Sequence, residues 1–457
     1  MEENSFLAVS NSKYYYMSRE LSDKIFYRYG KYTYPFEQFD TRFNRPDKVL
    51  ESLGNADTIL VEMYRKAHGK RMRNLGIDSS INTDSYTVPV ADVVGRDQIE
   101  YELVKKELQI RVVVDDSVLK LDRFNIWVNE VPLFGERGHS LRYRNLNKLD
   151  TTITIHLSEG ENRIETSVTN SNAIESLRSP LYVNYTPEKP YTPKTHFIGI
   201  GIDKFKEEGH DLSYSVKDVR DLSKALKEKL GDQLTIDTLF NQNVNVSNVQ
   251  ALKKKLLQTN INDKVIISYS GHGLLNEEYD YFLSAYNVEF LHPENGGIPY
   301  EVLEDLLDSI PARKKLLLID ACHSGEVDKD DFREMAAVAG AKGLVQPKGA
   351  GATNTSSSNT VGLQNSFQLM QELFVNVQKG SGATIISAAA GDQFALEGGI
   401  LENGFFTYAI LKYMKEQEDA SVNSLKKYVY TEVEKLSGGL QKPTSRIENL
   451  ELDWKVW

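Results

Sequence analysis

The chain changes its hydrophobic period several times. Residues 10–40 are dense in Tyr and Phe and show no clear period. Over 46–74 apolar residues recur at helical spacing, with Leu60, Met63 and Tyr64 together, and Pro46 suits a helix start. From about 105 to 186 the pattern shortens to β runs: QIRVVVDD (109–116), FNIWVNEV (124–131), TTITIHLS (151–158), NRIETSVTN (162–170) and PLYVNYT (180–186). Turn-rich GERGHS and EGEN separate them. Short alternating strands of this kind predict an antiparallel, immunoglobulin-like sandwich, some of whose strands are poorly marked. TPEKPYTPK (186–194), with three prolines, reads as a linker.

Beyond the linker the runs become continuously apolar. THFIGIGI (195–202) reads as a continuously apolar strand, LTIDTLF (234–240) and KVIISYS (264–270) as strands, KLLLIDA (315–321) and ATIISAAA (383–390) as buried-type strands, and YFLSAY (281–286) as a further one. Between them lie helical patterns: Val216, Val219, Leu222 and Leu226; Leu252, Leu256 and Leu257; then 299–309, 404–416 and 421–436. This alternation predicts a mostly parallel α/β sheet with helices on both faces. The expected organisation is a mixed α/β N-terminal region at 1–104, a sandwich-like domain at 105–186 and the α/β domain at 195–457. A loop at about 326–380 interrupts the last of these. Its stretch GAGATNTSSSNT (349–360) has little to bury, and a lid, a processing site or both are expected there. Gly199 and Gly201 form G-x-G without a third glycine, so no dinucleotide site is read from them.

Composition narrows the function classes. With 457 residues, 40% hydrophobic and 26% charged, this is an ordinary globular chain with room for several cores. No apolar run approaches the ~20 residues that span a bilayer. MEENSFLAVSNSKYYYMSRE lacks a basic segment followed by an apolar one, so no secretory signal is expected. The net charge of -11 argues against nonspecific nucleic-acid or membrane binding and leaves room for cationic substrates. The basic stretch Arg65, Lys66, Lys70, Arg71 and Arg73 reads as a solvated helix face. One cysteine, Cys322, excludes intrachain disulfides and multi-thiolate metal sites, and fits a cytoplasmic protein.

Ligands of open α/β sheets bind outside the C-terminal ends of the strands. Two such ends carry reactive residues: Ser270-Gly271-His272-Gly273 and Asp320-Ala321-Cys322-His323-Ser324-Gly325. A lone cysteine is otherwise a small buried hydrophobe. A thiol beside an imidazole suits acyl transfer, because a free thiol is only a few per cent thiolate at neutral pH. Cys322 is thus the expected nucleophile and His272 the general acid/base, with the backbone N–H groups of Gly273 and Cys322 facing the oxyanion. His323, the neighbour of the nucleophile, is given a structural role. His68, His139, His156, His196, His210 and His292 belong to no constellation.

SGHG at one strand end, followed about fifty residues later by DACHSG at another, resembles the caspase/metacaspase family of cysteine peptidases. IISAAAGDQFALE and NGFFTYAIL are similar to the small-subunit region of its bacterial members, and 1–190 to the segment preceding the peptidase in some of them. The resemblance covers about 195–457. It implies a caspase-like sheet and a regulatory endopeptidase acting on protein or peptide substrates. It also implies a basic P1 residue. Metacaspases with that specificity resemble this chain at Asp218 and Asp320, and Ser270 lines the same pocket; aspartate-specific caspases use arginines there. Asp320 lies two residues before Cys322 and so points to the same side of its strand. Metacaspases often bind calcium through an acidic cluster, and Asp328, Asp330 and Asp331 form a short acidic run. Where the family pattern has paired acids before the next helix, this chain reads ENGGIPYEV, so neither an obligatory metal nor another cofactor is expected. Lys342 and Lys348 are the candidates for self-processing, and 1–190 for contact with a regulatory protein. The alternative is a catalytically inactive caspase-like scaffold.

Overall fold

The computed structural model of the protein describes residues 6–18, 21, 24–54, 58–74, 76–77, 87–276, 280–321, 345–347, 380–389, 395–447 and 453–457. They form two compact units, one reaching Tyr191 and the other running from Thr192 to Trp457, Gly380 apart.

In the first unit the early aromatic residues are core. Two hairpins, Leu7–Val9 with Tyr15–Met17 and Phe26–Tyr29 with Tyr32–Pro35, precede a cluster of Tyr15, Phe39, Phe43 and Ile174. The rings of Tyr27 and Phe39 stack with centroids 4.6 Å apart, a favourable aromatic distance. Pro46 opens the helix Pro46–Leu53, where a missing N–H costs no hydrogen bond. Met63 and Tyr64 are buried on Thr58–Asn74. Two sheets follow. Glu107–Asp115 lies between Val90–Val93 and Lys148–His156, all antiparallel. The other sheet runs His139–Ser140, Leu121–Val128, Gly160–Asn170, Leu181–Tyr185, Glu102–Leu103, with only the last pair parallel. Ile110, Val112 and Val114 of the first sheet share one core with Phe124, Ile126, Ile164 and Val168 of the second. The short strands Val90–Val93 and Glu102–Leu103 carry too few residues for a period of two to show in sequence.

The second unit is built on β1 (Thr195–Gly201), α1 (Ser215–Leu230), β2 (Leu234–Phe240), β3 (Lys264–Ser270), α2 (Tyr300–Leu307), β4 (Lys314–Asp320), β5 (Thr384–Ser387), α3 (Phe405–Glu416), α4 (Val422–Ser437) and β6 (Thr444–Ile447). The sheet order is β2-β1-β3-β4-β5-β6, parallel as far as β5, with β6 antiparallel at the edge. The inner strands β1, β3, β4 and β5 are buried on both faces, while the edge strand β2 leaves Thr235, Ile236 and Thr238 exposed. Phe197, Ile266, Leu316 and Ile386 pack with Val219 and Leu222 of α1, Phe406 and Ile410 of α3, and Leu425 and Val429 of α4. The alternate residues Ile198, Ile200, Ile267, Leu317 and Ile319 are buried as well. This is the mostly parallel α/β sheet that the sequence predicts. The expected strand at 281–286 belongs elsewhere: Tyr281–Leu283 pairs antiparallel with Gly273–Leu275 and Ile298–Pro299 in a small separate sheet.

Gly199 and Gly201 set the distance of α1 from β1. A Cβ at Gly199 would lie 2.3 Å from Val219 Cγ1, and one at Gly201 would lie 2.9 Å from the Ser215 carbonyl oxygen. The G-x-G pair is thus a packing device. It lets the first turn of α1 reach the end of β1, beside the point where the strand order reverses between β1 and β3. In open sheets that reversal opens a crevice at the carboxyl ends of the strands.

Candidate active site

Three strand ends converge at this crevice. Ser270 is the register partner of Gly201 on one side and of Asp320 on the other. The Ser270 hydroxyl donates to Asp218 Oδ2 at 3.1 Å. Asp218 lies in the first turn of α1, and its Oδ1 accepts from Asn403 Nδ2 at 3.0 Å and the Gly404 N–H at 2.9 Å. Asp320 Oδ2 accepts from the Thr407 hydroxyl at 2.8 Å. Ser270, Asp218 and Asp320 are all buried. Both carboxylates are thus oriented by the start of α3 and the residues just before it. Glu397, fully buried, accepts the N–H groups of Ser213 and Tyr214 and fastens the chain just ahead of α1.

His272 follows Ser270 through a turn that only glycine fits. A Cβ at Gly271 would lie 2.5 Å from Tyr269 Oη and 2.7 Å from Ile202 Cγ2. The Gly271 N–H donates to the Asp320 carbonyl at 3.2 Å. The His272 N–H donates to Ser284 Oγ at 3.0 Å, and Tyr269 Oη lies 2.9 Å from the same hydroxyl. The imidazole is buried, with Phe205 and Phe290 at centroid distances of 5.2 and 5.4 Å. Its Nε2 lies 2.7 Å from the His210 carbonyl. A carbonyl only accepts, so Nε2 carries the hydrogen, and in the neutral ring Nδ1 keeps the lone pair. Next along the chain, the Asp211 carboxyl is held below its ordinary range, first by the hydrogen bond from Lys204 at 2.9 Å and least by the charge of His272.

Gly273 begins the strand Gly273–Leu275 opposite Leu283. The Ser284 N–H donates to the His272 carbonyl at 2.9 Å, which flanks the Gly273–Leu283 pair. In an antiparallel ladder such a pair exchanges no bonds of its own, so the Gly273 N–H is turned away from the partner strand.

The structure therefore brings Asp218, Ser270 and Asp320 together and sets His272 two residues beyond Ser270. Cys322 stands two residues beyond Asp320 in the sequence and lies outside the described residues, as do His323, Asp328, Asp330, Asp331, Lys342 and Lys348. The isolated histidines have local partners. His196 bridges Asp263 and Thr235, His156 and His292 face Glu107 and Glu294, and His139 packs near Phe134. Burial, with the Arg45 and Arg71 charges after it, pushes the His68 imidazole down to about 4. His210 is the one that sequence reasoning missed. It serves His272 through a backbone oxygen, which every residue type carries, so no sequence signal could mark it. Among the described residues no group of three or more His, Cys, Asp or Glu side chains is arranged to hold a metal ion, and no helix is long and apolar enough to cross a membrane.

A family model described as the caspase domain matches residues 198–453, more than half of the chain. Among solved structures, protein GSU0716 from Geobacter sulfurreducens is similar over 55% of this chain and 92% of its own, at 18% identity and a TM-score of 0.39. Caspase-1 from Spodoptera frugiperda is similar over 56% of this chain and 87% of its own, at 14% identity and a TM-score of 0.36. No curated protein matches.

Proposed function

This chain belongs to the caspase family, and from that premise we propose that it is a cysteine endopeptidase cutting proteins after Arg or Lys through a Cys322–His272 dyad. The observation that carries the reading is the fixed imidazole of His272. Its Nε2–H is committed to the His210 carbonyl, which leaves Nδ1 as the base.

In this reading the Cys322 thiol passes its proton to His272 Nδ1, and the thiolate attacks the scissile carbonyl carbon. As the C–S bond forms, the carbonyl π pair moves onto oxygen, which the N–H groups of Gly273 and Cys322 receive. Removal of one such donor costs ~10²–10³ in rate. Collapse breaks the C–N bond, and His272 returns the proton to the leaving amine. His272 then takes a proton from water, whose oxygen attacks the thioester and releases the acid product and the thiol. Asp218, Ser270 and Asp320 form the floor of the pocket for the P1 side chain. A guanidinium or ammonium group is its natural occupant, since buried charge is tolerated when paired with its opposite.

The reading assigns no step to a metal or other cofactor. It gives the enzyme a regulatory role in the cytoplasm, takes protein or peptide substrates, and leaves 1–190 to bind a regulatory protein. Incubation with a peptide library, followed by profiling of the new N-termini, should return cuts that follow Arg or Lys. An uncut library would leave the fold as a scaffold.

Self-processing at Lys342 or Lys348 is part of the proposal. Mass spectrometry of purified wild-type protein should then find fragments ending at one of these lysines, while Cys322→Ala stays whole. Both remaining intact while the wild type cleaves peptide would remove processing from the mechanism.

A further inference from the structure

The His210 carbonyl fixes the tautomer of His272, and something must hold that carbonyl. The residue before it, Gly209, has a φ of +93°. After it, the Asp211 carboxylate accepts from Lys204 at 2.9 Å and from the Phe205 N–H at 3.2 Å, and the Leu212 N–H donates to the Asp203 carbonyl at 3.0 Å. The His210 side chain adds an anchor of its own. Its ring stacks on Phe290 with centroids 3.7 Å apart and planes 8° from parallel. Its Nε2 lies 3.2 Å from Glu207 Oε1, and the other oxygen of that carboxylate accepts the Phe290 N–H at 3.1 Å. Glu207, His210 and Phe290 thus close a ring of contacts. Phe290 also stands edge-on to His272, at 5.4 Å and 84°, and to Phe205, at 5.1 Å and 82°.

Resting on the endopeptidase reading, we propose that the His210 side chain, clamped between Phe290 and Glu207, is a positioning residue that keeps His272 in its Nε2–H tautomer. The backbone atom that bonds the base is present whatever residue stands at 210; the clamp, together with the bonds made by Asp211 and Leu212, fixes where that atom points. Removal of the side chain should therefore slow the chemical step while leaving substrate binding in place.

The test compares wild type, His210→Ala and His210→Phe. An aromatic stack is worth enough to change a rate roughly 5- to 10-fold, so His210→Ala should lower kcat by about that factor with KM nearly unchanged. His210→Phe keeps the stack and should recover most of the loss. The second readout needs no turnover. With ¹⁵N-labelled histidine at about pH 8.5, above the ordinary imidazole value of ~6.5, the ring nitrogens of His272 report which one carries hydrogen; His272→Gln identifies the signals. Wild type and His210→Phe should show the Nε2–H form and His210→Ala a mixture. An unchanged tautomer in His210→Ala overturns the proposal whatever the rate. An inactive wild type would count against the endopeptidase reading alone, and the tautomer would still decide on the clamp.

Discussion

Cys322→Ala is expected to abolish peptide turnover, and His272→Ala to lower it by at least ~10³-fold, within the span that general acid–base help supplies. The first variant removes the nucleophile and the second the group that raises its thiolate fraction and protonates the leaving amine. An electrophilic peptide ending in Arg should label the wild type, label His272→Ala slowly and leave Cys322→Ala untouched. His272→Ala also strips the His210 carbonyl of its donor, and an unsatisfied buried acceptor costs ~1–3 kcal/mol. His272→Gln separates the two effects, since its amide N–H can still donate to that carbonyl but cannot act as a base. It should be as inactive as His272→Ala while melting closer to wild type. Substantial turnover by Cys322→Ala would end the thiol mechanism.

Asp320→Ala is expected to lower kcat/KM for Arg substrates by at least ~30-fold. Truncating one partner of a buried charge pair costs ~2–5 kcal/mol, and each ~1.4 kcal/mol is tenfold. The Thr407 hydroxyl, which donates to Asp320 at 2.8 Å, loses its acceptor in this variant. Asp320→Asn keeps an acceptor there and removes only the charge, so it should show the same loss of preference for Arg over Leu. Matched fluorogenic peptides ending in Arg, Lys, Asp and Leu measure this as a ratio within each protein, and the folded fraction cancels. Cleavage after Asp equal to or faster than cleavage after Arg would remove the acidic pocket and leave the dyad standing.

Much of this protein is legible in its amino-acid sequence. The continuously apolar runs are the inner parallel strands β1, β3, β4 and β5, because strands buried on both faces have no polar face to interleave; β2, at the edge, carries Thr235, Asp237 and Thr238. SGHG and DACHSG are legible because glycines at a strand end favour tight turns, and the proposed acyl transfer would need the thiol and the imidazole that the two motifs carry. The edge strand β6 is not legible. Thr444–Ile447 pairs on one side only, and four residues of mixed polarity carry no period. Nor are the hairpins before residue 36, whose aromatic residues obey a cluster instead of an alternation.

The chemistry divides in the same way. The sequence predicted the fold class and, through the family resemblance, Asp218, Ser270 and Asp320 as companions, which the structure brings together; the pairing of a thiol with an imidazole rests on residue types at two strand ends, with Cys322 outside the described residues. Tertiary structure alone decided that Gly199 and Gly201 serve helix packing, that Asn403, Gly404 and Thr407 orient the two carboxylates, and that the His210 carbonyl sets the tautomer of His272. The hydrogen bonds among these join segments 62 to 186 residues apart, and two of them use backbone atoms common to every residue, so they leave no local pattern in the chain.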